Sequence, residues 1–158
     1  PPCGEITIDP QATGSKPIVL LAGGIGVTPL LSMAKSIIHH KPDATIYFLQ
    51  AARDSKVRAF ADEVQQLAAT GPNVKVQVIF DTPLPGDVED GKCDAVGFVT
   101  TELLREWAPC AEAEFYFCGP PPFMQHIHAC LQELGVDEQR VRYEFFGPKQ
   151  DLRKPAMA

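Results

Sequence analysis

No stretch of the 158 residues approaches the ~18 consecutive apolar side chains that a membrane-spanning helix requires, and the N-terminus lacks a basic region followed by an apolar run. Neither a membrane span nor secretion is expected, which makes the cytoplasm the expected location. Basic residues are also short: 14 Lys and Arg stand against 20 Asp and Glu, a formal charge of −6. No basic stripe is left to meet a phosphate backbone, so nucleic acid is not an expected partner and small molecules are. Metal-ligand spacing is missing as well. The five cysteines, Cys3, Cys93, Cys110, Cys118 and Cys130, form no C-x-x-C pair, and their odd number suits free thiols in a reducing compartment. The histidines fall as His39-His40 and His126-x-His128. Such spacings do not share a helix face, so all four read as solvated surface and no metal site is expected. Asn73-Val74-Lys75 is not a glycan acceptor. What is present, 45% hydrophobic and 22% charged residues, is the composition of one globular domain.

From Pro17 onward, short β-type runs alternate with longer segments of helical period. The alternation predicts an α/β fold: a three-layer, doubly wound, five-stranded parallel sheet of order 3-2-1-4-5. The predicted strands are residues 18–22, 45–49, 74–80, 114–118 and 141–145, several of them rich in the aromatic and β-branched residues of buried strands. Leu30, Met33, Ala34 and Ile37 mark a first helix, with Thr28 placed to cap it and Pro29 at its first position. Ser55 is placed to cap a second, whose inner stripe is Val57, Phe60, Ala61, Val64 and Ala68, closed by Gly71 and Pro72. A short third helix after Thr100 or Thr101 buries Leu103, Leu104 and Trp107. The last opens at Pro120-Pro121-Pro122, carries Phe123, Ile127, Cys130, Leu131 and Leu134, and ends at Gly135. The Pro- and Gly-bearing stretch from Asp81 to Asp94 reads as a surface loop. Residues 17–148 are thus the expected domain and 149–158 a tail. Residues 1–9 alternate like a single strand, which cannot form a sheet alone, and are expected to belong to a neighbouring domain.

Two turns carry the chemistry. The first strand runs into Gly23-Gly24-Ile25-Gly26-Val27-Thr28-Pro29, a glycine-rich strand-to-helix turn. Glycines there admit a pyrophosphate close to the backbone, and the helix N-terminus favours its charge. The match to G-x-G-x-x-G is partial, because Pro29 stands in the third position. The fourth strand runs into Cys118-Gly119-Pro120, followed by Phe123 and Met124 at the start of a helix. In the expected order, strands one and four are neighbours, so both turns face one crevice of dinucleotide size. Cys118, Phe123 and Met124 read equally well as core residues. Arg53, past the second strand, meets an adenosine ribose or a 2′-phosphate, or is a solvated arginine. The acid that would grip a ribose at that strand end is absent, which leaves NADH and NADPH both open.

The pairing of Gly24-Ile25-Gly26-Val27-Thr28-Pro29 with Cys118-Gly119-Pro120 resembles the pyridine-nucleotide domain of the ferredoxin-reductase-like flavoproteins. The terminal Tyr143-Glu144-Phe145-Phe146-Gly147-Pro148 is most similar to the flavohaemoglobins within that superfamily. The resemblance implies that Gly24 to Pro29 hold the pyrophosphate of NAD(P)H and that Cys118 to Pro120 flank the nicotinamide. It places Phe146 against a flavin ring, with Glu144 nearby tuning electron flow and Phe145, Gly147 and Pro148 in the same terminal motif. It also implies that residues 1–9 are the last strand of an FAD-binding barrel, and that a globin domain of the same polypeptide holds haem for nitric oxide dioxygenation. The second Phe at 145 and the Pro120-Pro121-Pro122 run depart from the family pattern. Two other readings fit these residues: an oxygenase reductase serving an iron–sulfur centre, although no C-x4-C-x2-C is in the chain, and a non-catalytic nucleotide-binding module.

Overall fold

The computed structural model describes residues 16–71 and 73–145. The strands are β1 (Ile18–Gly23), β2 (Ile46–Ala52), β3 (Val74–Phe80), β4 (Ala95–Val96), β5 (Glu114–Gly119) and β6 (Val141–Phe145). The helices are α1 (Val27–His40), α2 (Ala61–Ala68), α3 (Thr101–Trp107) and α4 (Pro121–Glu133). All the strands pair in parallel, in the order β4-β3-β2-β1-β5-β6. The five anticipated strands keep their anticipated order, and the two-residue β4, too short to leave a periodic signal, adds an edge beside β3.

Strand alternation divides the core into two layers. Ile18, Leu20 and Ala22 of β1 and Tyr116 and Cys118 of β5 point toward α1 and α2, where they pack with Leu30, Ile37 and Val64. Val19 and Leu21 of β1 and Phe115 and Phe117 of β5 point the other way, against Leu104, Met124, Ile127 and Leu131 of α3 and α4. Both faces of the central strands are covered, which is why β1 is apolar throughout and buried along its whole length. Thr100 caps α3 by accepting from the Leu103 N–H at 3.0 Å. Pro120 caps α4, and Gly135, at φ +77°, closes it.

Three local expectations are corrected. Thr28 does not cap α1: a 3-10 turn at Gly24–Gly26 leads directly into the helix, Gly26 takes the cap position without a side-chain bond, and Pro29 sits inside the first turn, where its missing N–H has no intrahelical acceptor anyway. Ser55 does not cap α2, because its hydroxyl and N–H are both committed to Asp87. That helix begins only at Ala61, buries Val64 and Leu67, and leaves Val57 60% and Phe60 45% exposed and Ala68 on its outer side. Finally, His128 is buried at 2% exposure, since it lies beside Ile127 on the inner side of α4. His39 and His40 are exposed, as expected of surface residues.

Pro72, Phe146, Gly147, Pro148, residues 1–15 and the tail lie outside the described residues. Glu144 and Phe145 are described by their backbone, at the end of β6 beside Cys118 and Gly119 of β5.

Candidate functional site

A cleft of about 700 Å³ opens at the carboxyl ends of the parallel strands. Every strand from β1 to β5 leads into it: Gly23 and Gly24 from β1, Ala51 to Arg53 from β2, Asp81 from β3, Gly97 to Val99 from β4, and Pro120 with Phe123 from β5 and the start of α4. Its centre is where the chain reverses direction across the sheet, between neighbouring β1 and β5, with β1 also flanked by β2. Open parallel sheets bind ligands at such switch points because loops diverge there.

The glycines of the two turns are explained by packing. A β-carbon on Gly26 would lie 2.0 Å from the Cys118 carbonyl oxygen, so α1 starts in contact with the backbone of β5. β-Carbons on Gly23 and Gly119 would each fall within 2.7 Å of the Phe123 ring, which therefore rests on both strand ends. Gly24, at φ +54°, adopts the left-handed conformation that turns β1 into α1. Both α1 and α4 begin here, and neither carries an acid in its first turn. Their positive dipole ends favour an anion with no carboxylate competing, but Pro120, Pro121 and Pro122 carry no N–H, so the backbone donors at this end of the cleft come mainly from the β1–α1 turn.

The anticipated site residues divide accordingly. Gly23, Gly24, Arg53, Pro120 and Phe123 line the cleft. Gly26 and Val27 are buried behind it, Thr28 is exposed and Pro29 is half-buried at the helix start. Ile25 lies in the 3-10 turn. Gly119 lies beneath the Phe123 ring. Cys118 and Met124 are fully buried, one in each core layer, and present no surface to a ligand. Strand and helix alternation turns them inward.

Several lining residues were not anticipated: Val57, Ala59, Asp81, Phe98 and His126. Asp81 had a usable signal, as the residue immediately after a parallel strand. Val57, Ala59 and Phe98 depend on irregular segments, and His126 on one face of α4. Val57 donates its N–H to the Asp54 carboxylate at 3.1 Å, and Ala59 is held by buried Gln50, whose Nε2 donates to the Ala59 carbonyl at 2.7 Å while Arg58 Nε donates to its Oε1 at 2.7 Å. Burial lowers the Arg58 pKa, opposed by nearby Asp94 and Asp62. The Asp81–Asp94 stretch is a surface loop tied at its ends, by Asp81 and Thr82 to β2 and its exit and by Asp94 to Val78, and pinned in the middle by Asp87. Asp87 accepts from the Ser55 hydroxyl at 2.6 Å, the Leu84 N–H at 2.9 Å and the Ser55 N–H at 3.2 Å. The Ser55 hydroxyl bond, with the two N–H bonds, outweighs desolvation and holds its carboxyl below the ordinary aspartate range. Cys93, Cys110, Cys118 and Cys130 form no disulfide, and burial raises the Cys110 and Cys130 thiols. No metal-binding cluster occurs among the described residues.

Comparison with known proteins agrees with this geometry. The flavohemoprotein of Rhodopirellula baltica is 68% identical over 152 residues, covering 96% of this chain and 37% of that protein. The chain thus spans little more than a third of the curated relatives it matches. Among solved structures, the FAD/NAD-binding domain of the nitric oxide dioxygenase from Vibrio cholerae matches with a TM-score of 0.72 and 30% identity, over 84% of this chain and 52% of that one. Flavohemoglobin from Malassezia yamatoensis matches with a TM-score of 0.71 and 26% identity, over 88% and 33%. The family model of the oxidoreductase NAD-binding domain matches residues 20–129. That span holds both glycine turns and every residue lining the cleft, and the chain belongs to this family.

Proposed function

We propose that the domain binds NAD(P)H across the β1–β5 switch point and presents the nicotinamide to FAD held by a barrel domain of the same polypeptide. The carrying observation is the convergence of two glycine turns, from neighbouring parallel strands, on one cleft. The pyrophosphate lies over the turn at Gly23 to Pro29, and the nicotinamide lies by Gly119 and Pro120, just beyond buried Cys118, with the Phe123 ring as a platform. The tight seating of Gly26 on β5 supports this fit, because it brings the N-termini of α1 and α4 to the same cleft.

Hydride transfer needs no acid or base from this chain. Its residues bind, orient and exclude water, and their contribution to rate is positioning. FAD, when bound, supplies the hydride-accepting chemistry, and haem in a globin domain supplies the oxygen chemistry. Nitric oxide dioxygenation, the activity named for the Vibrio cholerae relative, is the proposed activity of the whole polypeptide. In the same reading residues 17–148 are the nucleotide-binding domain, residues 1–9 close the barrel and 149–158 form a tail. Glu144 and Phe146 lie beside the flavin, with Phe145, Gly147 and Pro148 around them. No helix among the described residues is long and apolar enough to cross a membrane, and the proposed location is the cytoplasm.

Cofactor choice follows from the far end of the cleft. The acid missing after β2 comes instead from the neighbouring strand β3, as Asp81, which lines the cleft together with Arg53. A carboxylate there accepts from ribose hydroxyls and repels a 2′-phosphate, so NADH is the preferred donor.

The deciding experiment is the absorption spectrum of the full-length gene product before and after anaerobic NADH. Bleached flavin together with a shifted haem Soret band is expected. Flavin without haem would move the electron acceptor elsewhere, and an unreduced flavin would overturn the reductase reading.

A further inference from the structure

We propose that His126 is a positioning residue for dinucleotide binding, acting on Phe98 through the carbonyl of its neighbour Val99. The inference rests on the cleft reading above and concerns a helix residue that neither glycine turn nor strand end signals.

Phe98 lines the cleft yet is 70% exposed. The residues on either side of it are anchored. Gly97, at φ +116°, donates its N–H to the Phe80 carbonyl at 2.8 Å, which ties it to the end of β3. Val99 is buried at 2% exposure, and its carbonyl meets Nε2 of His126. A carbonyl oxygen can only accept, so Nε2 carries the proton and the neutral ring is the Nε2–H tautomer. Cys130, one turn further along the same face of α4, brings its Sγ to 3.9 Å from the same oxygen. The His126 ring meets the Phe98 ring edge-on, with centroids 6.4 Å apart at 63°.

The result is a large apolar ring held between two fixed residues in the lining of the cleft, largely open to solvent. An exposed phenyl ring gains most by covering another flat ring, and anchoring its backbone beforehand removes the ordering cost from the binding step. The occupant is a planar heteroaromatic ring of the dinucleotide. His126 sets where Phe98 stands, and it does so as a hydrogen-bond donor rather than by bulk.

Titration of this chain with NADH and with ADP-ribose tests the proposal. His126→Leu and Phe98→Ala should each weaken NADH binding about three- to tenfold, and the double variant should bind no more weakly than Phe98→Ala alone, because the two act through one contact. His126→Gln, which keeps a donor, should recover most of the loss. A loss shared by ADP-ribose assigns the covered ring to adenine, and a loss confined to NADH assigns it to nicotinamide. Unchanged binding in His126→Leu, or losses that multiply in the double variant, would overturn the role. If His126→Leu does not fold, the imidazole ¹⁵N shifts of the unmodified chain decide: an Nε2 without a proton overturns it, and a proton on Nε2 that responds to NADH supports it. A folded, unmodified chain that binds neither probe overturns the cleft reading itself, and this one with it.

Discussion

The carbonyl oxygen of Cys118 lies 2.0 Å from where a β-carbon on Gly26 would stand, and the amide nitrogen of Gly119 lies 2.8 Å from the same point. Helix α1 therefore starts directly on the backbone of β5, and this contact is what aligns the two turns. Gly26→Ala should push the two backbones apart, costing roughly 1–3 kcal/mol as overpacking does. NADH binding should weaken in parallel. Urea unfolding with an NADH titration checks both, and a variant as stable as the parent would refute the contact.

Phe123 and Gly23 form a size-matched pair, with the ring 2.6 Å from the position of a Gly23 β-carbon. Gly23→Ala should destabilise the chain by about 1–3 kcal/mol. The same change in a Phe123→Ala background should cost much less, since the obstructing ring is gone. A double-mutant cycle measures the difference, and strict additivity would show that the ring moves aside freely.

Asp81 and Arg53 line the same end of the cleft. Asp81→Ser should improve binding of NADPH relative to NADH by about tenfold or more, since an acid at this position discriminates through the ribose 2′ group. Arg53→Ala in that background should reverse much of the gain, because guanidinium is the natural partner of a 2′-phosphate. Titration with both nucleotides reads the ratio directly. An unchanged ratio in Asp81→Ser would place the ribose elsewhere.

Asp87 joins the 81–94 loop to Ser55. Its folded-state pKa is lowered, chiefly by the Ser55 hydroxyl bond. Its contribution to stability is therefore complete above the unfolded value near 3.9 and is lost as pH falls through the lower folded value. Asp87→Asn should make the loop more susceptible to limited proteolysis at pH 7 and flatten the acid limb of the stability profile. Equal cleavage rates for variant and parent at pH 7 would show that the loop is held by other contacts.

Much of the fold was legible because its signals are local. Ile18 to Ala22 and Val74 to Phe80 read as strands from composition, and Pro121 and Pro122 at the start of α4 marked a helix N-terminus. Thr28 and Ser55 misled because a good capping residue is a preference that other bonds override: a 3-10 turn enters α1, and Asp87 claims Ser55. Strand β4 escaped because two residues have no period. The site was legible at its two glycine turns and illegible at Phe98 and His126, which meet the cleft only through a loop and one helix face.

By itself, then, the sequence determined the alternation of strands and helices, the parallel order and the two turns, since periodicity, proline and glycine act over a few residues. The tertiary structure alone decided that Cys118 and Met124 face the core, that Phe98 and His126 line the cleft, and that Gly26 is required by β5. Those assignments depend on which strand lies beside which and on how closely a helix approaches it. Close packing between segments distant in the chain sets both, and no local pattern encodes it.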